Sequence, residues 1–561
     1  MEIGIGGKMN HLPDTCDLLI IGGGVTGAGI FHETARLGVH VVLVEQHDFA
    51  WGTSSRSSKL IHGGLRYLKE GHFLLTWDAV KERERLLREA PGLVTPIAFV
   101  APIYKDRAPG RWMLEAGLSI YDLLAAKRRH RFLKPEEIVV QVPFIERHNL
   151  VGGYEFWDAQ VDDARLVLRL IAEGQMAGGK ALNYTTALSV DRDPRGWVSG
   201  VTLQDVETGE VRSIRTPAVI NATGYWAERL HPQTNAKRHL RPLRGSHLIF
   251  PRDVLPVQCA VSFMHPQDQR AVFVLPWEGV VLVGTTDLDH RPDLVTEPTI
   301  TAEEADYLLE GARALFPSLG LSLSQCTACL AGLRSVISSN ADLAPSEESR
   351  EHDIWTDNGM VTIAGGKLTT YRRVALDALK AAQPYLPGLE RLSADGPGFE
   401  GAAPPAASNG IDASVWERLV GRYGRRAGAI VAGAHPDDLH CIPGTRTIWA
   451  ELPYAAGHES VRHLADLLLR RVRIGLLLPE GGRAQLARIE RLCRPVLGWS
   501  RRRWREEVNS YLCYWRHAHG FPWLAPPESV LKRILNVLRK KLRWKKKINF
   551  GDGSRNLEAQ S

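Results

Sequence analysis

The stretch IIGGGVTGAGI at residues 20–30 carries a G-x-G-x-x-G pattern formed by Gly22, Gly24 and Gly27. The short apolar run at residues 17–21 predicts a strand, and residues 25–37 predict a helix that ends at Gly38. Residues 39–44 predict a second, β-branched strand. Strand, glycine turn, helix and strand follow each other as in a nucleotide-binding βαβ unit, where the helix N-terminus faces a pyrophosphate. We therefore predict an α/β fold with a Rossmann-type nucleotide-binding domain.

Glu45 directly follows the second predicted strand. A carboxylate at this position accepts hydrogen bonds from the 2′- and 3′-hydroxyls of a ribose and disfavours a 2′-phosphate. The βαβ unit serves NAD and FAD equally well, so other segments must distinguish them.

Three further segments favour FAD over NAD. Residues 49–68, FAWGTSSRSSKLIHGGLRYL, form a loop rich in hydroxyls and glycines. Residues 219–230, VINATGYWAERL, end a strand at a glycine, and residues 361–373, VTIAGGKLTTYRR, lead from a strand through two glycines into a helix. The predicted cofactor-binding residues are Gly22, Gly24, Gly27, Glu45, Thr53, Ser54, Ser55, Lys59, Gly224, Gly366, Leu368 and Thr369.

These segments, together with DAQVDDARLVL, RGSHLIF, VFVLPW and VGTTDLD, resemble the FAD-dependent glycerol-3-phosphate dehydrogenases, the respiratory branch of the DAAO-like flavoproteins. The resemblance covers residues 17–379 and continues more loosely to the C-terminus. It implies a glutathione-reductase-like FAD domain with an antiparallel substrate sheet. It also implies oxidation of sn-glycerol 3-phosphate to dihydroxyacetone phosphate, with electrons passing through FAD to membrane quinone.

The resemblance also implies the substrate site. A phosphate needs fixed cations, and the matching motifs supply Arg66, Arg334 and Lys367, with Tyr67 and Thr370 as hydrogen-bonding neighbours. A base must accept the proton of the C2 hydroxyl, and the predicted catalytic residues are His247, then His62, with Arg334 stabilising alkoxide charge.

One position departs from the family pattern. The family usually has proline after the arginine that corresponds to Arg334, whereas Ser335 follows it here. Because proline favours an extended conformation of the preceding residue, its loss is expected to loosen a loop at Arg334.

The chain of 561 residues is long enough for several domains. We predict an N-terminal extension at 1–16 and interleaved FAD and substrate domains at 17–394, with substrate-sheet segments at about 70–160 and 235–345. Residues 395–410, rich in Gly, Pro and Ala, predict a linker. Residues 411–527 predict a helical domain, and residues 528–561 a basic amphipathic tail.

The tail dominates the net charge of +7, because residues 529–550 contain nine basic residues and no acidic one. The rest of the chain is therefore nearly neutral, and we expect no nucleic-acid partner. One face of the tail carries apolar residues and Trp544 follows, which favours an anionic lipid surface over a disordered basic segment. The apolar positions are Leu531, Ile534, Leu535, Leu538 and Leu542.

We expect a peripheral protein on the cytoplasmic face of the inner membrane. The N-terminus lacks an apolar export segment, seven scattered cysteines suit a reducing compartment, and no metal site is indicated. Residues 464–478 are the most apolar run but contain Asp466, Arg470, Arg471 and Arg473, which argues against a membrane span. The sequence is compatible with a homodimer.

Three alternatives keep the same fold. The first is an oxidase that passes electrons to oxygen, although the chain lacks the insertion that such oxidases tend to carry. The second is a dehydrogenase of another 2-hydroxy acid or of an amino acid, since arginine also binds carboxylates. The third is a catalytically silent, membrane-bound flavoprotein, which Ser335 would favour if it were disabling.

Overall fold

The structure is a computed structural model that describes residues 9–65, 73–105, 107–125, 129–230, 239–294, 297–338, 351–393, 396, 398–400 and 411–524. Arg66, Tyr67, most of the predicted linker and the whole predicted tail lie outside the described residues.

The strands begin with the predicted β1–β2 pair and continue to residue 365. They are β1 (Leu18–Ile21), β2 (Val41–Val44), β3 (Leu60–Ile61), β4 (Val94–Tyr104), β5 (Arg131–Leu133), β6 (Leu150–Val161), β7 (Lys180–Leu182), β8 (Thr185–Arg192), β9 (Val198–Asp205), β10 (Val211–Arg215), β11 (Ala218–Asn221), β12 (His239–Pro251), β13 (Ala260–Met264), β14 (Ala271–Trp277), β15 (Val280–Gly284), β16 (Leu288–Asp289), β17 (Ala328–Ser338), β18 (His352–Asp357) and β19 (Met360–Gly365).

The α-helices alternate with the strands at first and then dominate the C-terminal part. They are α1 (Val25–Arg36), α2 (Phe73–Glu89), α3 (Arg111–Ala125), α4 (Pro135–Gln141), α5 (Asp163–Met176), α6 (Ala302–Leu315), α7 (Tyr371–Ala382), α8 (Ala413–Tyr423), α9 (Ala427–Ala432), α10 (Glu451–His458), α11 (Leu464–Asp466), α12 (Ile474–Leu477), α13 (Leu486–Cys493) and α14 (Arg501–Ala518). A π-helical turn, Leu467–Arg471, follows α11.

A six-stranded sheet in the order β18-β19-β11-β1-β2-β7 forms the nucleotide-binding domain. Its strands are parallel except for β18, which runs antiparallel to β19. Helices α1, α5 and α7 pack on one face, and the three-stranded sheet β10-β9-β8 covers the other. β1, α1 and β2 confirm the predicted βαβ order. Because β1, β2, β11 and β19 run in the same direction, the residues that follow their ends lie along one edge.

A second sheet lies beside the first and places the substrate-side residues. It has the order β16-β12-β15-β14-β13-β4-β6-β3, with β17 paired to β12 and β5 to β6. Its pairs are antiparallel except for β13 and β4. The expected antiparallel substrate sheet is confirmed, for example by β14 and β15, which align Val274 with Val283.

Buried ion pairs attach the C-terminal helices to the nucleotide-binding domain. Asp48 is fully buried and accepts hydrogen bonds from Arg470 and from Arg471, whose Nη2 lies 2.7 Å from Oδ1. Burial alone would raise the pKa of Asp48, but the two guanidinium groups outweigh it and lower that pKa to about 2. Arg473 donates to Asp163 Oδ1 at 3.2 Å. The charges that interrupt the apolar run at 464–478 are therefore interior contacts between domains.

A second polar contact between these parts involves His463, the residue before α11. Its Nε2 lies 3.1 Å from Glu207 Oε1 and its Nδ1 3.0 Å from Glu507 Oε1. Hydrogen bonds to these two carboxylates raise the pKa of His463 to about 10.

Among the helices of the described ranges, none is both long and apolar enough to cross a bilayer.

Candidate active site

The predicted glycine turn forms a close-packed cradle at the end of β1. Gly22 has φ = +114°, and a Cβ there would lie 2.5 Å from the carbonyl oxygen of Ala222. A Cβ at Gly27 would lie 1.9 Å from the carbonyl oxygen of Gly22. Side chains at either position would therefore collide with backbone. Ser54 Oγ accepts a hydrogen bond from Val25 N at 2.9 Å, which brings the loop after β2 against the helix N-terminus.

Glu45 follows β2 and faces the same cradle. Its carboxylate accepts hydrogen bonds from Gly23 N at 2.7 Å and from His47 N at 2.9 Å. Burial raises its pKa despite these two donors. Each carboxylate oxygen can accept more than one hydrogen bond, so acceptor capacity remains for the hydroxyls of a ribose.

The other predicted cofactor segments reach the same edge of the sheet. Gly224 comes after β11 with φ = +65°, and Gly366 comes after β19 with φ = +87°. Thr369 Oγ1 donates to the carbonyl oxygen of His62 at 3.3 Å and so joins the segment after β19 to the loop at residues 49–65. Backbone from three chain segments therefore surrounds one elongated space.

That space is a cavity of about 1450 Å³ shared by the cradle and the second sheet. A cavity of this size exceeds what one small substrate needs and has room for a dinucleotide as well. The predicted residues that line it are Gly22, Gly24, Glu45, Thr53, Ser54, His62, Gly224, His247, Arg334, Gly366, Lys367, Leu368 and Thr369.

His247 lies on β12, opposite Gly284 of β15. A Cβ at Gly284 would lie 2.2 Å from His247 Cδ2, so the glycine leaves the space that the imidazole occupies. His247 Nε2 and Ser58 Oγ are 2.9 Å apart. Burial, and then the charges of Lys59 and Arg334, hold the pKa of His247 well below its usual value. The imidazole is therefore neutral at physiological pH.

Arg334 lies on β17, and its guanidinium covers Gly245 of β12. A Cβ at Gly245 would be 2.4 Å from Arg334 Nη2. Nη1 donates to Asp287 Oδ1 at 2.8 Å, and Nη2 donates to Thr285 Oγ1 at 3.0 Å. The side chain is still 28% exposed and borders the cavity. These contacts fix the guanidinium of Arg334, and part of the side chain still faces the cavity.

The expected loosening at Ser335 is wrong. Ser335 lies within β17 and pairs with Pro242 in a register that continues from Ala328 to Ser338 without a bulge. Pairing with β12 keeps Arg334 extended, so no proline is needed to restrict its backbone.

Some predicted residues do not line the cavity. Lys59 Nζ is fully buried, lies 2.7 Å from Asp163 Oδ2 and also bonds the carbonyl oxygen of Ser55 at 2.7 Å. Burial, its largest influence, lowers the pKa of Lys59 to about 8. Gly27 supports the close approach of α1 to the turn, and Thr370 is buried where α7 begins. Arg66 and Tyr67 lie outside the described residues.

Among the residues around His247 and Arg334, Ser58, Gly245, Gly284, Thr285 and Asp287 were not predicted. The segments RGSHLIF and VGTTDLD contain four of these five, so those motifs mark the site as a whole. Arg270 also lines the cavity, with Nη2 3.7 Å from Asp287 Oδ2.

Fold and site together define a class of protein. The dinucleotide cradle lies at the carboxyl edge of a parallel sheet. His247 and Arg334 line the same cavity as the cradle. This is the arrangement of a flavin-dependent oxidoreductase.

Comparison with known proteins identifies the family. Residues 17–372 match the model of the FAD-dependent oxidoreductases, and residues 365–504 match the model described as the C-terminal domain of alpha-glycerophosphate oxidase. The aerobic glycerol-3-phosphate dehydrogenases of Staphylococcus haemolyticus and Staphylococcus aureus are 32% and 33% identical over 490 residues, which is 83% of this chain and 88% of each relative. The chain belongs to the FAD-dependent glycerol-3-phosphate dehydrogenases.

Two solved structures are similar to this chain. The glycerol-3-phosphate dehydrogenase of Bacillus halodurans, complexed with FAD, is 28% identical with a TM-score of 0.68, covering 89% of this chain and 94% of its own. The L-alpha-glycerophosphate oxidase of Mycoplasma pneumoniae with FAD bound is 19% identical with a TM-score of 0.53, covering 70% of this chain and 100% of its own. The second likeness concerns the fold alone.

Proposed function

We propose that this protein oxidises sn-glycerol 3-phosphate to dihydroxyacetone phosphate and passes the electrons to membrane quinone. The observation that carries the proposal is that His247, Arg334 and Lys367 line the same cavity as the dinucleotide cradle. A substrate in that cavity would meet the cofactor, a phosphate-binding cation and a proton acceptor together.

Arg334 and Lys367 are proposed to bind the substrate phosphate. The guanidinium of Arg334 is held by Asp287 and Thr285, so little ordering is needed when an oxyanion arrives. Arg66, Tyr67 and Thr370 remain proposed neighbours of the substrate. An arginine beside the C2 oxygen would also stabilise alkoxide charge as the hydroxyl proton leaves.

Gly22, Gly24, Glu45, Ser54 and Gly366 would hold FAD, which when bound accepts the hydride from C2. The accompanying proton leaves the C2 hydroxyl as the C=O bond forms, and His247 is proposed to take it because its ring lines the cavity and its unprotonated form is favoured. The hydroxyl of Ser58, 2.9 Å from Nε2, orients the ring. His62, which also lines the cavity, is the second candidate for the base.

The central test is anaerobic reduction of the holoprotein by its substrate. Mixing with sn-glycerol 3-phosphate is expected to bleach the flavin absorbance, whereas glycerol, L-lactate and glycine, which lack the phosphate, leave it unchanged. Bleaching by lactate or glycine alone would favour the alternative substrates, and no bleaching by any compound would contradict an enzymatic role.

The acceptor requires a separate test. After anaerobic reduction, the rate of reoxidation by a quinone analogue is compared with the rate of peroxide release in air. We expect quinone to reoxidise the flavin much faster than oxygen does. Faster peroxide release would make the protein an oxidase.

The proposed location is the cytoplasmic face of the inner membrane, with the tail at residues 528–561 on anionic lipid. Truncation after Pro527 is expected to leave dye-linked activity intact and to reduce sedimentation with phosphatidylglycerol vesicles, because about 1 kcal/mol per basic residue is lost. Unchanged sedimentation would remove the tail from the proposal.

A further inference from the structure

Asp163 is the first residue of α5, and its carboxylate is fully buried. Oδ2 accepts hydrogen bonds from the backbone N of Ser57 at 3.0 Å and from its hydroxyl at 2.7 Å. Lys59 Nζ donates to both carboxylate oxygens, at 2.9 and 2.7 Å, and Arg473 Nη2 donates to Oδ1 at 3.2 Å. One buried carboxylate therefore joins the loop between β2 and β3 to the C-terminal helices. We call Ser57, Lys59, Asp163 and Arg473 the Asp163 cluster.

The Asp163 cluster determines the backbone conformation of this loop. Lys59 has φ = +61° and Arg473 has φ = +64°, a left-handed conformation that is uncommon for residues other than glycine. Both side chains are buried, and both donate to the carbonyl oxygen of Ser55, from Lys59 Nζ at 2.7 Å and from Arg473 Nη2 at 2.9 Å. Such conformations persist only where the surrounding contacts impose them. The two cations and Asp163 supply those contacts.

Ser58 lies between the two loop residues that bond Asp163. Because Ser57 and Lys59 are both held by the carboxylate, the direction of the Ser58 side chain follows from their positions. Ser58 Oγ lies 2.9 Å from His247 Nε2. Among the described residues, His247 Nδ1 has no hydrogen-bond partner. Ser58 therefore provides the hydrogen bond that orients the imidazole.

We propose that Asp163 is a positioning residue for the oxidation and acts through Ser58 on His247. Ser58 and His247 line the cavity, whereas Asp163 is not among the described residues that do so. The carboxylate fixes the loop, and the loop holds the ring where it can accept the proton of the substrate. Arg473 links this arrangement to the C-terminal helices. The kinetic part rests on the proposed function, whereas the link from Asp163 to the imidazole does not.

A neighbouring ion pair provides a matched control for a purely structural role. Arg165, also on α5, donates from Nη1 to Glu459 Oε2 at 2.7 Å and from Nη2 to Oε1 at 2.9 Å. Both residues are buried, and the pair likewise joins α5 to the C-terminal helices. The hydrogen bonds of Arg165 go to Glu459 and Arg422 in the described part of the chain, away from the loop that carries Ser58.

The kinetic test compares Asp163→Asn, Ser58→Ala and the double variant as flavin-loaded proteins. We expect kcat for sn-glycerol 3-phosphate, measured with a soluble dye, to fall at least about tenfold in each single variant, because the ring is displaced. KM should change little, since Arg334 is held by Asp287 and not by the Asp163 cluster. The double variant should be no slower than the slower single variant, because both changes act on one hydrogen bond.

The control variant Glu459→Gln should lose stability as Asp163→Asn does, because each breaks a buried ion pair, but it should keep the wild-type kcat. Losses of kcat that multiply in the double variant would overturn the proposal. An equal loss of kcat in Glu459→Gln would also overturn it, because the effect would then come from weakened packing between the domains.

Ser57→Ala covers the case in which Asp163→Asn does not fold. It removes one donor to Asp163 and leaves the buried ion pairs intact. We expect it to lower kcat in the wild type but to lower it little further in Ser58→Ala. An unchanged kcat in Ser57→Ala with flavin fully bound would contradict the positioning role.

A crystal structure of the Asp163→Asn holoprotein, or of Ser57→Ala if the former does not fold, tests the link without any reaction. Ser58 Oγ is expected to move beyond about 3.5 Å from His247 Nε2, while Glu459→Gln keeps this contact. An unchanged contact would overturn the proposal. If sn-glycerol 3-phosphate does not bleach the wild-type flavin but the contact is lost in the variant, the proposed function fails and the positioning of His247 by Asp163 stands.

Discussion

Gly284→Ala tests whether His247 acts in the reaction, since it adds one methyl group beside the imidazole. A Cβ at Gly284 would lie 2.2 Å from His247 Cδ2, far inside an ordinary carbon–carbon contact of about 3.5 Å. The ring must therefore move by roughly 1 Å, a displacement that costs an enzyme about 100-fold in rate. This loss corresponds to about 2.7 kcal/mol in activation free energy.

We expect kcat for sn-glycerol 3-phosphate to fall about 100-fold while KM changes little, because the three atoms nearest a Cβ at Gly284 belong to His247 and not to Arg334. Overpacking should also lower the free energy of unfolding by about 1–3 kcal/mol, so flavin content and melting temperature are measured on the same sample. Gly428→Ala is the control, because no atom lies within 4 Å of a Cβ placed at Gly428 of α9.

The His247→Ala background makes the test specific. Without the imidazole the clash disappears, so adding Gly284→Ala to His247→Ala should reduce kcat little further. If kcat of Gly284→Ala stays near the wild-type value while flavin is fully bound, His247 is not the base, and His62 becomes the first candidate.

Three other changes test the cofactor site and the domain contacts. Glu45→Gln should raise the Kd for FAD about tenfold, because a charged hydrogen-bond acceptor is lost. Glu480→Gln, at an exposed position, should leave the Kd unchanged. Equal Kd values for the two variants in a fluorescence titration would contradict a contact between Glu45 and the ribose. Asp48→Asn should lower the free energy of unfolding by about 3–5 kcal/mol in urea, since it breaks a buried ion cluster, while the exposed Asp437→Asn changes it little. The folded-state pKa of His463 is raised from 6.5 to about 10, so its stabilising contribution is complete below pH 6.5 and is lost as the pH rises to about 10. In His463→Gln the free energy of unfolding should therefore decline less between pH 6.5 and about pH 10. If urea titrations show the same decline with pH as in the wild type, His463 is not the group responsible.

The geometry of the glycine cradle was predictable because its signals are local. A strand, three glycines, a helix and Glu45 follow each other within 30 residues, and their spacing determines which atoms meet at the edge of the sheet. The segments at Gly224 and Gly366 were recognised in the same way, because each follows a short apolar strand.

The sequence did not indicate which residues surround His247 and Arg334, because these neighbours are determined by the pairing of strands. Gly284 meets His247 only through the register of β15 with β12, and Gly245 meets Arg334 only across β12 and β17. Ser335 was misjudged for the same reason, since the expectation considered its own backbone and neglected the neighbouring strand.

The charges at residues 464–478 were interpreted only as obstacles to a membrane span. Arg470 and Arg471 bond Asp48, which lies more than 400 residues earlier in the chain, and nothing local indicates that they are buried against it. Predicting such a cluster requires the relative placement of two domains.

Asp48 brings the packing of the C-terminal helices next to the predicted flavin cradle. Asp48 is three residues beyond Glu45 on one short loop, so the same backbone faces the cradle on one side and Arg470 and Arg471 on the other. If flavin binding tightens the contact of Asp48 with the two arginines, thermodynamic reciprocity requires that this contact tightens flavin binding by the same free energy. The apoprotein should release these helices at a lower temperature than the flavin-loaded form, and a molecule that binds to the helical domain could set how long the flavin stays bound.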